Sequence, residues 1–362
     1  MRSRVPWLVL VLILVAAVAV LRDQSALPER RAGAAAEPRP APTTAPHVAP
    51  PSVPQAFGDP LDWREIPLPV DSEPGTEPAA DLVRQVFHTR GSDGVRRIVV
   101  ARDVAVGELP AGPIRSRLVD RHLVVQREIA PGVTELSALD LTTGRWRTAP
   151  RYLSVRQMAA SGKYVAVPVD ERCMVVHELE TLARLGRYCA DRGRFVSPPT
   201  AEVDGPQWRE SAPGRPCDRW FRLDDAGVPR RLHTSEAACR AALLVTVDGW
   251  ELTAAVPQYE VGAAYPRPLI ARTHDRRVTL DDSVLQPLVC GRHVYWLSRP
   301  RAADQRGVLA RWAPGAEWVE LLTIGGDDRL RADAGPPRCV NGVLNVLTTV
   351  SGTTRLWLLP TP

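Results

Sequence analysis

From Phe57 onward, apolar residues come in short runs rich in Val and Leu, separated by turn residues. The stretch Cys290–Leu322 shows the unit. An apolar run, Val294–Leu297, is followed by a polar turn at Arg299–Gly307. A second run, Val308–Trp312, leads through Pro314-Gly315 to a third at Trp318–Leu322. No segment keeps the three-to-four spacing of an amphipathic helix, and short β-branched runs bounded by Gly and Pro predict strands. The expected class is all-β.

The spacing of these units predicts more than the class. Cys239-Arg-Ala-Ala-Leu-Leu-Val, Cys290-Gly-Arg-His-Val-Tyr-Trp and Cys339-Val-Asn-Gly-Val-Leu-Asn align as starts of one repeat. Ala160-Ser-Gly-Lys-Tyr-Val and Val119-Asp-Arg-His-Leu-Val fit the same frame. Weaker units are placed near residues 80 and 200. The mean period of roughly 43 residues is that of a four-stranded blade. The predicted fold is a seven-bladed β-propeller, with six blades as the alternative. The segment Leu61-Asp-Trp-Arg-Glu-Ile-Pro-Leu resembles Glu317-Trp-Val-Glu-Leu-Leu, and the last unit ends one strand short at Leu356-Trp-Leu-Leu. Leu61–Leu68 is therefore expected to close the ring as the outer strand of the last blade, because an open array leaves an unpaired edge.

One unit carries a family pattern. Leu136-Ser-Ala-Leu-Asp-Leu-Thr-Thr-Gly-Arg-Trp146 resembles the repeat of quinoprotein-type (PQQ-like) propellers. Its Asp-x-x-Thr-Gly piece also recurs in WD40-like propellers, because Asp accepts turn N–H bonds and Gly takes positive φ. The resemblance implies the fold. It implies no quinone, since no residues for binding one are placed here, and no cofactor is expected.

The N-terminus places the domain. Residues 1–4 form a short basic tip, and Val5–Leu21 is uncharged. Seventeen apolar residues suffice, near the lower limit, for a bilayer-spanning helix. Residues 5–22 are read as a membrane anchor, with a cleaved signal as the alternative. Residues 23–56, rich in Pro and Ala, are read as an extended, disordered linker, and residues 57–362 as the propeller. Arg2 and Arg4 favour a cytoplasmic tip. The expected location is the cell membrane, single-pass, with the C-terminal domain outside the cytoplasm.

Charge removes one class of partner. Of the formal +5, the first 56 residues hold +3, from Arg2, Arg4, Arg22, Arg30, Arg31 and Arg39 against Asp23, Glu29 and Glu37. The remainder is near neutral and lacks the clustered positive field that drives nucleic-acid binding. The six cysteines all fall between residues 173 and 339, an even count that reads as disulfides in an oxidising compartment. The favoured pairs are Cys173–Cys189, Cys217–Cys239 and Cys290–Cys339. Cys239–Cys290 is the rival, and sequence alone allows about 15 pairings.

Chemistry is sparse. No Gly-x-Ser-x-Gly elbow, His-Glu-x-x-His or phosphate loop is present. The doublets Asp224/Asp225, Asp281/Asp282 and Asp327/Asp328 are read as solvated turn residues. His122 and His293 share one blade position and are read as partly exposed strand-edge residues, with a central site as the alternative. Trp146, Trp220, Trp250, Trp296, Trp312, Trp318 and Trp357 are read as wedges between blades. Cys173 with His177, or Cys290 with His293, lacks the paired spacing of a closed zinc site. No catalytic, cofactor or metal residue is assigned. The expected role is a non-catalytic binding or scaffold module for a protein, peptide or glycan at the cell envelope. The alternative is a propeller enzyme, a hydrolase, lyase or quinone-dependent dehydrogenase, acting at the central face.

Overall fold

The computed structural model describes residues 50–361 except 70, 73–77, 94, 101–103, 110–113, 154–156, 203, 214–216, 236–238, 240, 256–266, 299–306, 325–336 and 351–352. The anchor at 5–22 and most of the 23–56 linker lie outside the described residues. Among the described residues no helix is long and apolar enough to cross a membrane.

Short antiparallel hairpins follow one another along the whole domain. Blade 1 runs from Ala79–Ala80 through Gln85–Arg90 and Arg96–Val100 to Val104–Leu109. Blade 2 holds Ile114–Val119, His122–Ala130, Val133–Asp140 and Arg145–Thr148. Blade 3 holds Ala159–Ser161, Tyr164–Pro168, Cys173–Glu178 and Arg184–Cys189. Blade 4 has a split inner strand, Phe195–Val196 and Thr200–Glu202, then Gly205–Ser211, Arg219–Leu223 and Pro229–Arg231. Blade 5 begins with Ala241–Val247, Trp250–Ala255 and Arg267–Arg272. The 14-residue strand Arg277–Cys290 then serves two blades. Its first half pairs with Arg267–Arg272 and its second half with His293–Ser298, with register shifts on both sides of the bend. Blade 6 continues through Val308–Trp312 to Val319–Leu321. Blade 7 holds Arg338–Val340, Val343–Val350 and Thr353–Pro360, and its fourth strand is Arg64–Ile66, from the other end of the domain. The domain is a seven-bladed β-propeller, closed where Leu61–Leu68 was expected to close it.

The repeat is marked by its first turn. In blades 2, 3, 5, 6 and 7 the inner strand meets the second strand through two residues, the first of them in the left-handed region. Asp120 has φ 49°, Gly162 55°, Asp248 45°, Gly291 59° and Asn341 50°. Such turns match the twist of a hairpin and favour Gly, Asn and Asp. The cysteines do not mark it. Cys290 is the last paired residue before its turn, opposite His293, and Cys339 stands one residue earlier, opposite Leu344. Cys239 precedes its whole inner strand, whose turn lies at Asp248-Gly249. The expected equivalence of the three is corrected: the run Ala241–Val247 is an inner strand, not a second one.

Each blade is buried on both faces by its neighbours, so second strands read as nearly continuous apolar runs. Tyr164–Pro168 is buried at every position, whereas Arg145–Thr148 at a rim is exposed throughout. The core is accordingly a set of wedges. Ile98 and Leu123 join blades 1 and 2, Val124 and Val165 join 2 and 3, and Met174 and Trp208 join 3 and 4. Trp250 and Trp312 join 5 and 6, Tyr295 and Leu344 join 6 and 7, and Leu358 and Phe87 join 7 and 1. The seam between blades 4 and 5 is the smallest among the described residues, formed by Trp220 and Leu244 with Leu232.

Polar side chains on second strands reinforce the seams. Asn345 accepts from the Ala80 N–H at 2.9 Å and donates to the Ala80 carbonyl at 2.8 Å. Gln126 accepts from the Met158 N–H at 3.0 Å, and His88 Nε2 meets Ser116 Oγ at 2.8 Å. Three disulfides add to this. Cys173–Cys189 spans a hairpin within blade 3, Cys217–Cys239 ties blade 4 to the chain leading into blade 5, and Cys290–Cys339 joins blades 6 and 7.

The chain before the ring is used as a strap. Ser52 bridges Thr279 at the rim of blade 5, and Gln55–Phe57 adds a parallel fifth strand outside Val319–Leu321. Residues 52–56, read as linker, thus pair with the sheets. Leu61 and Trp63 then pack between blades 6 and 7 before Arg64–Ile66 completes the ring.

Candidate functional site

The first turns of the blades gather around the axis at one end of the ring. Six of the seven connect their strands through two residues, but blade 1 uses four, Asp81-Leu82-Val83-Arg84, between strands that pair Ala80 with Gln85. Asp81 Oδ1 accepts from the N–H groups of Val83 and Arg84 at 2.8 and 2.6 Å, an Asx turn that fixes the loop. Arg84 donates to the Asp120 carbonyl. Asn341 donates to Asp81 Oδ2 at 2.8 Å, and its Oδ1 accepts from the Asp120 N–H at 2.7 Å. Blades 7, 1 and 2 are thereby locked together at the axis. Asn341 thus bridges the first turns of blades 1 and 2. The locked loop presents Leu82 and Val83 at its tip, 50% and 80% exposed.

The innermost strands wall the central passage. The Cys290–Cys339 bond shows which way their side chains point: Cys290, the last paired residue of blade 6, faces the following blade. Because side chains alternate, residues two and four positions earlier share that side. Val119 obeys the rule, packing against blade 3, while Leu118 packs against blade 1. By this register Arg117 and Arg338 each stand two residues above their last pair, at one level. Arg115 stands two residues further, and Glu202 is itself the last paired residue of blade 4. These four are the charged residues among the described residues of the inner strands.

Burial shifts the titration of Arg338, Arg117 and Glu202. Desolvation lowers the Arg338 guanidinium to about 10, still fully charged at neutral pH. The Arg117 guanidinium is lowered by burial and by Arg115 beside it. The Glu202 carboxyl is pushed up to about 7 by burial, against the opposing pull of Thr200 and Arg222. Neither this wall nor the Leu82-Val83 tip was singled out in the sequence. Arg-Ser-Arg in an apolar strand and a four-residue first turn were the available signals, and both needed the strand register to be read.

Most of the residues that were singled out take part in turns, seams or cross-strand contacts. His122 and His293 do occupy one position, the first residue of a second strand. His122 is buried rather than partly exposed, because Asp140 and the turn Asp120-Arg121 close over it. Burial lowers the pKa of both rings, opposed at His122 by Asp140. His177 is fully buried, with Nε2 against the Tyr152 hydroxyl and Nδ1 at 2.8 Å from the Leu182 carbonyl. Cys173 and Cys290 are oxidised and offer no thiolate to a metal. Asp224 is a turn residue, accepting from Ala226 and Val228. Asp281 is not: it is buried in the long strand and accepts from Trp296 Nε1 at 2.8 Å, since the expected turn is a bend within one strand. Asp327/Asp328 lie outside the described residues. Trp220, Trp250, Trp296, Trp312 and Trp357 are buried wedges, whereas Trp146 and Trp318 sit exposed at the rim. Within the family-like segment, Asp140 Oδ1 accepts from Thr142 at 2.8 Å and Gly144 has φ 69°.

No family model and no curated protein matches the chain. Solved structures do. The β-propeller domain of the trilobed protease from Pyrococcus furiosus superposes with a TM-score of 0.53 at 12% identity, covering 78% of this chain and 92% of that one. Pyrococcus horikoshii acylaminoacyl peptidase gives 0.50 at 11% identity, over 78% of this chain and 50% of that one. BamB from Moraxella catarrhalis gives 0.41 at 14% identity, over 76% and 79%. At such identities the likeness is one of fold.

Proposed function

We propose that this protein is a non-catalytic binding or scaffold module that engages a protein, peptide or glycan at the cell envelope, held at the membrane through residues 5–21. The observation that carries the reading is the Leu82-Val83 tip. Two aliphatic side chains are held in water by a rigid polar frame at the centre of one face, where every other blade has a short turn. Two adjacent aliphatic side chains held exposed at the axis offer a contact point for a partner. The three disulfides support an oxidising compartment outside the cytoplasm. The polar side chains buried in the seams are engaged in joining blades, which supports a rigid platform.

The test is photo-crosslinking in intact cells, with the crosslinker at Val83 and, as control, at Arg145 on an outer strand. A discrete adduct at Val83, lost on Leu82→Asp, supports the reading. Turnover of a substrate that disappears on changing one residue of the passage wall would replace it with the enzyme reading.

A further inference from the structure

Among the six cysteines, Cys189 alone is exposed. It ends Arg184–Cys189, the outer strand of blade 3, and no strand pairs beyond that edge among the described residues. Its partner Cys173 lies directly opposite on the neighbouring strand and is buried. The bond therefore crosses the hairpin from the third strand towards the open rim. The other two bonds are more enclosed. Cys290 is fully buried where blades 6 and 7 meet, and Cys217, Cys239 and Cys339 are half-buried. Thiol–disulfide exchange needs a thiolate to reach one sulfur of the bond. Access favours the sulfur of Cys189 and leaves that of Cys173 as the departing group on the inner side.

The hairpin does not need this bond to stay in place. Beyond it, the Ala190 N–H donates to the Arg172 carbonyl at 2.8 Å, and Arg172 Nη2 donates to the Ala190 carbonyl at 2.9 Å. The Cys173 N–H donates to Asp170 Oδ1 at 2.7 Å. Before it, Tyr188 packs against Trp208 and Phe221 of blade 4 and donates to Glu210. The strand end is thus held on both sides of the cysteine pair. The bond also closes the shortest separation, 16 residues against 22 and 49, so chain entropy gives it the least weight of the three. An exposed disulfide that the fold can spare is the kind that exchanges.

We infer that Cys173–Cys189 is a reversible thiol–disulfide exchange site for a protein dithiol. The open rim gives a protein access along the strand edge. Arg187, two residues before Cys189 and on the same side of the strand, is exposed, with Nη2 3.1 Å from Asp170 Oδ2. A guanidinium beside the bond favours an anionic sulfur. A thiolate of the dithiol attacks Cys189 Sγ and forms a mixed disulfide. The Cys173–Cys189 bond breaks, and its electron pair leaves on Cys173 Sγ, which takes a proton from water. The partner's second thiol, once deprotonated, attacks its own sulfur in the mixed disulfide and frees Cys189 as a thiolate. The bond in this protein is reduced by two electrons, and the partner dithiol is oxidised to a disulfide. The step makes no use of the Leu82-Val83 tip, so it stands apart from the binding role proposed above.

The experiment uses the full-length protein in detergent. Reduced thioredoxin serves as the protein dithiol and dithiothreitol as the small one. Thiols freed over time are alkylated with light iodoacetamide, the rest are reduced and alkylated with heavy iodoacetamide, and peptides are read by mass spectrometry. Both reductants are expected to free Cys173 and Cys189 at least about tenfold faster than the other four cysteines. Far-UV circular dichroism is expected to stay unchanged as they do so. Glutathione with iodoacetamide present should leave the glutathione adduct on Cys189 and the alkyl group on Cys173. Equal rates for the three bonds, or earlier opening of Cys290–Cys339, overturn the inference. So does an adduct on Cys173, or loss of the circular dichroism signal together with reduction. Reduction by dithiothreitol with none by thioredoxin overturns the protein dithiol in favour of a small thiol.

Discussion

Gln207 donates its side-chain amide to the Leu244 carbonyl at 2.8 Å, across the seam between blades 4 and 5. Arg209, two residues on, reaches the Ala241 carbonyl at 2.8 Å from the same strand. This is the seam with the smallest apolar wedge among the described residues, and it is also where Cys217–Cys239 ties the chain. Hydrogen bonds and a covalent link stand where apolar area is short. Gln207→Leu leaves a buried carbonyl unpaired and should cost about 1–3 kcal/mol. Amide exchange should rise first in Ala241–Val247. Uniform change across all blades would show that the seam is not a separate weak point.

The Asn341 side chain serves turn and hub together. Its φ of 50° suits Asn or Gly, and its amide holds Asp81 and Asp120. Asn341→Gly keeps the turn and loses the bonds, whereas Asn341→Ala loses both. We expect the alanine variant to be less stable than the glycine variant by about 1 kcal/mol, with both below wild type in urea unfolding. Glycine and alanine variants of equal stability would remove the turn contribution.

Loop length ranks the disulfides. Cys290–Cys339 closes a separation of 49 residues and Cys173–Cys189 one of 16. Chain entropy assigns about 4 kcal/mol to the first and about 3 to the second. The Cys290→Ser/Cys339→Ser pair should therefore lower the denaturation midpoint more than Cys173→Ser/Cys189→Ser. It should also loosen blade 7, which depends on Arg64–Ile66 for its outer strand. The reverse order would mean that the hairpin of blade 3 depends on its bond more than the ring does.

Glu202 makes stability depend on pH. Its carboxyl pKa is raised to about 7 by burial, so the folded state holds the proton more tightly than the unfolded chain. The contribution is fully present below the unfolded pKa, near 4.5, and is lost as pH rises through about 7. Glu202→Gln should stabilise the protein at pH 8 by on the order of 1–2 kcal/mol and change little at pH 4. Unfolding curves at the two pH values measure this, and an equal effect at both would assign the change to packing.

Much of the ring was legible because it is local. Val294–Leu297 and Val308–Trp312 read as strands from their own residues and bounding turns, and both are strands. Leu61–Leu68 read as an outer strand because it resembles Glu317–Leu322, although its partner is about 290 residues away. The reading failed where local signals were ambiguous. Ala241–Val247 is as apolar as a second strand, and the preceding cysteine drew the alignment away from its real marker, the Asp248-Gly249 turn. Asp281-Asp282 resembles a turn, but the chain bends there without leaving the sheet.

By itself the sequence determined most of the strands, their approximate period and the cysteine supply, because each follows from residues near one another and from the geometry of a hairpin; the choice of seven blades over six came with the ring. Only the tertiary structure decided what the blades share. Arg117 and Arg338 come to one level because closure sets seven inner strands around an axis, with their register fixed by their turns. Asn341 meets Asp120 because closure brings the first turns of blades 7, 1 and 2 together. Leu82 and Val83 become a feature of the centre only once the other turns are seen to be short. Such juxtapositions arise from closure of the ring, and a periodic sequence carries no local mark of which residues will stand opposite one another.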